Sequence, residues 1–324
     1  MDVLSDTLRN QLIDRRRRLT VLIQTSPAEN LVGLLKQVDS ALERLDDGRF
    51  GLCDVCHESI EPERLLADPL IRTCLDHLDP QEQAALERDL ELAARVQWNL
   101  LPPRRQQLGG WEICFDYQPF RIASGDYCDV ITGSNRLNVL LGDVSGKGVA
   151  ASMLVANLHG LFRTLLPNGN DLTESLERAN RIFCESTLAS HYATLLIMSA
   201  DASGHVDIAN AGHCTPYVVT KDDVVSLPST SVPLGVFADA KFSLAQVDLK
   251  PGDALFAYTD GLSEARNGLD QEYGAVQMER WLQSCRDLPS EELLRSCLKD
   301  LESFRSPDGL NDDLTVLLLK RRDS

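Results

Sequence analysis

Gly142-Asp143-Val144-Ser145-Gly146-Lys147-Gly148 follows an apolar run at 137–142 and precedes a helical pattern at 149–166. A carboxylate at a strand end, beside glycines that admit backbone and solvent, suits a hard divalent cation, which prefers oxygen ligands and retains several waters. The stretch also invites a phosphate-loop reading. The Walker pattern needs four residues between its first Gly and Gly-Lys, then Ser or Thr; here three intervene and Gly148 follows, so a nucleotide site is disfavoured.

Three more acidic motifs sit beside apolar runs: Ser124-Gly125-Asp126-Tyr127-Cys128-Asp129, Tyr258-Thr259-Asp260-Gly261 and Asn311-Asp312-Asp313-Leu314-Thr315. One Asp-Gly pair alone reads as a turn. Four motifs of this kind read together as a carboxylate-lined metal site. Between them, strand patterns are expected at 137–142, 192–200, 206–209, 216–219, 254–258 and 314–319, and helices at 149–166, 172–188 and 276–304. Runs of strands around long helices indicate a layered α+β domain.

Upstream, residues 1–48 place Leu4, Leu8, Leu12, Leu19 and Leu22, then Leu31, Leu35, Val38, Leu42 and Leu45, at helical spacing around a break at Ser26-Pro27. That is a helical hairpin; Arg15 to Arg18 read as a solvated face of its first helix. After Asp79-Pro80, Leu86, Leu90, Ala93, Gln97 and Leu100 alternate four and three apart. This linker helix reads equally as a coiled-coil seam, with Gln97 a polar position able to set register, or as one amphipathic helix lying on the C-terminal domain. The expected domains are 1–79, 80–103 and 104–324.

Between hairpin and linker, Cys53-x-x-Cys56 is followed by Cys74-x-x-His77 in a segment too small to hold a core. Two ligand pairs at turn spacing are a common frame for tetrahedral zinc, giving Cys3His coordination, with His57 one step beyond the turn. Nine cysteines in a chain with no signal-like start point to metal ligands and buried thiols sooner than disulfides. No apolar run approaches the ~20 residues of a membrane span, so a cytoplasmic location is expected. The net charge of -17 argues against unassisted binding of nucleic acid or anionic membrane.

The stretch Ala41 to Cys56, continuing through Ile60-Glu61-Pro62-Glu63-Arg64-Leu65 to Cys74, resembles the DksA/TraR-type zinc finger, with His77 in place of the usual fourth cysteine. Proteins of that type act on RNA polymerase through a long coiled coil with an acidic tip. This hairpin is short and its tip near Thr25-Ser26-Pro27 is not acidic, so the zinc fold is carried over and the polymerase role is not.

Residues 94–320 resemble the PPM family of metal-dependent protein phosphatases, in its bacterial SpoIIE/RsbU branch. The resemblance rests on Ala94-Arg95-Val96-Gln97 to Leu100-Leu101-Pro102, Ser124-Gly125-Asp126, Gly142 to Gly148, Asn210-Ala211-Gly212-His213, Pro233-Leu234-Gly235, Thr259-Asp260-Gly261 and Asp312-Asp313-Leu314-Thr315. It implies an α-β-β-α sandwich holding two Mn or Mg ions. Asp143 would bridge them, the Val144 carbonyl would add a ligand, and Asp126, Asp260 and Asp312 would complete the shells, with Asp129 and Asp313 as further candidates. Two ions about 4 Å apart activate a water for direct attack on phosphorus, without a phosphoenzyme. Ser145 stands where eukaryotic members carry a histidine proposed as general acid, so leaving-group protonation is not assigned to it. His213 reads as a turn residue that satisfies backbone groups.

These readings imply a protein serine/threonine phosphatase in bacterial signalling. Its expected substrate is a phosphorylated anti-sigma-factor antagonist, its regulation comes from an upstream regulator at the N-terminal module, and it is a homodimer through the linker helix. The alternative is a zinc-finger regulatory protein with a non-catalytic phosphatase-like scaffold.

Overall fold

The computed structural model describes residues 3–25, 29–78, 80–120, 122–146, 148–168, 171–187, 191–306 and 311–322. The expected break at Ser26-Pro27, the boundary residue Asp79, Lys147 of the opening motif and the helix end at Leu188 lie outside them. The chain divides into two compact units, 1–88 and 89–324.

In the first unit, α1 (Val3–Thr25) and α2 (Glu29–Asp46) form a hairpin. Leu12, Leu19, Val38 and Ala41 are buried in its seam because their spacing keeps them on one face of each helix. Within the basic run, Arg16 pairs with Asp39 at 2.8 Å and Arg18 with Asp14 at 2.5 Å. Exposed pairs of this kind add little stability. The chain then forms α3 (Pro62–Ala67) and a single 3-10 turn at Leu75–His77 around a small core of Leu8, Cys53, Ile60, Leu65 and Cys74. The helix α4 (Pro80–Leu100) follows.

The second unit contains two antiparallel sheets. One has the order β1 (Arg105–Leu108), β2 (Trp111–Gln118), β11 (Leu314–Arg321), β10 (Ala254–Tyr258), β7 (Tyr217–Val219), β8 (Val224–Ser226). The other runs β3 (Asp126–Thr132), β4 (Leu137–Val144), β5 (Ala193–Ala200), β6 (His205–Ala211), β9 (Ala245–Asp248). Leu141, Leu196, Met198, Leu255, Leu317 and Leu319 pack between the sheets. On the outer face of the five-stranded sheet, α5 (Val149–Leu165) and α6 (Leu172–Ser186) contribute Leu158, Phe162, Leu176 and Phe183. On the other outer face, α8 (Gly274–Cys285) and α9 (Ser290–Phe304) contribute Met278, Leu282, Leu293 and Leu301. A fully buried side chain of this size stabilises by roughly 1.5–3 kcal/mol, so these layers carry the fold. The architecture is the α-β-β-α sandwich that the resemblance implies.

The single helix expected at 276–304 is two helices. Pro289 has no N–H and forces the preceding residue out of helical conformation, so the chain restarts at Ser290. The strand β3 is an addition to the expected strands: its polar Asp126 and Asp129 break the apolar pattern that marks its neighbours.

Candidate metal centres

Side chains alternate across each strand, and at one end of the sandwich this alternation gathers polar groups between the sheets. In β4, Val139 and Leu141 face the opposite sheet, and Asp143 continues that row. In β3, Cys128 faces the same layer, and so does Asp126 two residues earlier. Leu255 and Ala257 lead to Thr259, while Leu317 and Leu319 lead back to Thr315. Asp126 and Asp143 are direct cross-strand partners.

Like charges opposite each other on a sheet destabilise it unless a cation lies between them. Asp126 is 1% exposed, and its Oδ1 has no hydrogen-bond partner. Burial first, and Asp143 second, push its carboxyl well above the usual carboxylate range. A divalent cation bound to both carboxylates would remove both penalties, and oxygen-only donors are what Mg or Mn takes. The residues present therefore fit such an ion.

Two glycines make the gathering possible. A Cβ on Gly125 would lie 2.9 Å from the Val144 carbonyl oxygen and 3.1 Å from Asp143 Oδ1. One on Gly261 would lie 2.0 Å from the Asp313 carbonyl oxygen. Asp260-Gly261 is thus a close approach of two chain segments at the start of the short helix α7 (Asp260–Ser263), and the turn reading gives way to it. Asp260 and Asp312 are half-buried on either side of this contact.

Asp313 does different work from Asp312. Its Oδ1 accepts the Phe120 N–H and its Oδ2 the Gly125 N–H, both at 2.8 Å, so it ties the loop before Asp126 to β11. Asp312 Oδ1 accepts the Asp313 N–H at 3.0 Å. Ser145 pairs with Tyr192: its N–H donates to the Tyr192 carbonyl and its Oγ accepts the Tyr192 N–H, each at 2.9 Å.

Asp129 points the other way. Three residues after Asp126 it faces the helical layer, fully buried, bonded to His159 Nδ1 at 3.0 Å and to Arg163 Nε at 2.8 Å and Nη2 at 3.0 Å. Burial raises its pKa, but the His159 and Arg163 hydrogen bonds outweigh that and hold it below the usual value. It is an anchor for α5, away from the other acids. Sequence reasoning missed His159 and Arg163; their spacing of four, which sets them one turn apart on the same side of a helix, was the available signal.

His213 is buried with Nδ1 2.8 Å from the Thr194 hydroxyl, and burial pushes its pKa down to about 4. It is a neutral imidazole. Burial, then Asp260 and Asp143, push the Cys214 thiol up to about 12, so it is no nucleophile. The sequence also did not disclose the role of Gln97. It is buried, donating from Nε2 to the Ser124 carbonyl at 2.7 Å and accepting the Ser124 N–H at Oε1 at 3.0 Å. Its neighbour Trp98 meets Tyr117 edge-on at 5.4 Å. Gln97 therefore serves this domain: a side chain bonded twice to one backbone residue is not free to set the register of a seam, the role that the coiled-coil alternative gave it.

In the first unit, one ligand atom from each of Cys53, Cys56, Cys74 and His77 lies within 4.8 Å of all the others. Cys56 Sγ is 3.8 Å from Cys74 Sγ, which is 3.2 Å from His77 Nδ1. Backbone N–H groups, that of Cys56 foremost, lower the Cys53 thiol to about 6, while burial first, and its bonds to Cys53 and Cys56 next, push Cys74 up to about 11. Three sulfurs and an imidazole nitrogen converging this closely are a donor set of the kind that tetrahedral zinc takes. His57, exposed and at φ 60°, is outside the cluster.

The family described as Stage II sporulation protein E (SpoIIE) matches residues 133–322. The chain belongs to the SpoIIE family. Residues 48–76 match the prokaryotic dksA/traR C4-type zinc finger, and His77 stands one residue beyond that match. The chain is 28% identical over 267 residues to the protein IcfG of Synechocystis sp., covering 72% of this chain and 41% of that one. It is 26% identical over 246 residues to the phosphoserine phosphatase RsbU of Bacillus subtilis, covering 74% and 72%. It thus spans well under half of the length of IcfG. Among solved structures, the SiaA-PP2C domain of Pseudomonas aeruginosa superposes with a TM-score of 0.65 at 19% identity, covering 74% of this chain and 98% of that one. SpoIIE-family membership and the PP2C-like sandwich therefore coincide on the domain that carries the acidic cluster.

Proposed function

We propose that this chain is a Mn- or Mg-dependent protein serine/threonine phosphatase. The observation that carries the reading is the cross-strand pair Asp126 and Asp143, with Asp126 Oδ1 buried and unpartnered and its Oδ2 tied through Thr259 and Thr315 to the segments that carry Asp260 and Asp312. Asp126, Asp143, Asp260 and Asp312 would hold the ions, with the Val144 carbonyl; Asp313 supports the loop that carries Asp126. When bound, two such ions supply an activated water and neutralise charge on the phosphoryl oxygens. The chain's own contribution is to fix the carboxylates and to bury Cys214 and His213, which favours the neutral form of each. Kinship to a relative named a phosphoserine phosphatase supports phosphoserine as the target.

The substrate we assign is a phosphorylated anti-sigma-factor antagonist, on the strength of the SpoIIE/RsbU resemblance. Zinc at Cys53, Cys56, Cys74 and His77 holds the N-terminal module, through which an upstream regulator acts, with dimerisation along the linker helix. Among the described residues no helix is long and apolar enough to cross a membrane.

The test is Mn-dependent release of phosphate from a phosphoserine protein by wild type and Asp143→Asn. Loss of a ligand should lower the rate by more than about a hundredfold, beyond the 10–100-fold range typical of an outer residue. Equal rates in the two proteins, or none in the wild type with any phosphoserine protein, would overturn the reading.

A further inference from the structure

We infer that Thr259 and Thr315 are positioning residues that fix Asp126 so that Oδ1, and not Oδ2, is the oxygen presented to a divalent cation. This rests on the phosphatase reading above and deepens it.

Both threonines stand on the six-stranded sheet or its immediate extension, and Asp126 on the five-stranded one. Their hydroxyls cross the gap to one atom: Thr259 Oγ1 donates to Asp126 Oδ2 at 2.9 Å and Thr315 Oγ1 donates to it at 2.5 Å. A carboxylate that holds a cation is ionised and only accepts, so in that state both hydroxyl protons point at Oδ2. Thr259 Oγ1 also accepts the Thr315 N–H at 2.8 Å, which occupies one lone pair and leaves its proton for Oδ2. The Thr259 N–H in turn donates to the Thr315 carbonyl at 3.0 Å, which locks the two residues to each other.

All three residues are essentially buried, so water does not compete for these protons. Oδ2 is saturated while Oδ1 is buried with no hydrogen-bond partner, and only the second can take a cation without breaking a bond. Threonine suits the task because branching at Cβ stiffens χ1, which holds the hydroxyl in one direction. Thr259 precedes Asp260, and Thr315 follows Asp312 by three residues. The brace therefore joins the carboxylates of one sheet to the segments that carry those of the other.

The experiment compares wild type with Thr315→Val, Thr259→Val and the corresponding serine variants. Mn2+ binding to the metal-stripped full-length protein is measured by calorimetry, alongside melting in chelator and Mn-dependent phosphatase activity. The valine variants should bind Mn2+ roughly 10–100-fold more weakly, as expected for loss of an outer hydrogen bond, and the serine variants should recover to within about threefold. Valine variants that bind as wild type, or serine variants as weak as valine, overturn the inference, the latter because the loss then comes from packing. A measurement that needs no variant accompanies these: in the Mg2+-loaded wild type both hydroxyl protons should be protected from exchange in NMR spectra, and rapid exchange of either overturns the assignment. Failure of the phosphatase reading has a different signature, a wild type that binds Mn2+ and hydrolyses nothing.

Discussion

Asp126 and Asp129 lie three positions apart on one strand, and that odd spacing sends them to opposite faces. One joins a like-charged neighbour between the sheets; the other enters an ion-paired pocket under α5 with His159 and Arg163. The two therefore answer differently to substitution. Arg163→Ala leaves Asp129 buried with His159 alone. It should cost about 2 kcal/mol in urea unfolding at pH 7, less than a fully buried pair because the Arg163 side chain is half exposed. The pH dependence has a definite sign. Asp129 has a folded pKa below its ordinary 3.8, so its stabilisation is complete above that value and disappears as pH falls through the folded pKa. The stability difference between wild type and Asp129→Asn should accordingly narrow between about pH 5 and about pH 2, and a difference independent of pH over that window would refute the assignment.

At the scale of elements, the last turn of α4 is fastened within the second unit by Gln97 and Trp98. Gln97→Leu keeps the volume and strands both polar groups of Ser124, a loss of about 1–3 kcal/mol. Calorimetry should show the second unit melting a few degrees lower, at about 2–4 °C per kcal/mol for a domain of this size. Because Ser124 Oγ accepts the Asp126 N–H at 3.0 Å, Mn2+ affinity should fall as well. A shift in melting with unchanged affinity would confine Gln97 to structure. The helix pair α8 and α9 makes a different point: its apolar period continues through Asp287-Leu288-Pro289, but one proline decides that two helices form.

For the whole molecule, the small core around Leu8, Ile60 and Leu65 includes two cysteines of the proposed zinc site, so the finger depends on its metal more than on its apolar area. Chelation should strip hydrogen-exchange protection from residues 50–78 by more than about tenfold while leaving β4 and β10 protected. Retained protection in the finger after complete zinc removal would rule out a folding role for the metal. The four donors of that proposed site, the hairpin, and the acidic motifs around 126, 143, 260 and 312 are all marked in the sequence, and the finger's four donors come together in space. Each is marked locally, by ligand spacing, by helical period, or by a carboxylate beside glycine at the end of an apolar run. Only the tertiary structure sent Asp129 to the other face, gave Asp313 the Phe120 and Gly125 N–H groups as partners, turned Gln97 inward, and set Thr259 and Thr315 against Asp126. Those assignments depend on which face meets which across two sheets whose contacting residues lie as much as 189 positions apart, and no local pattern records a contact of that range.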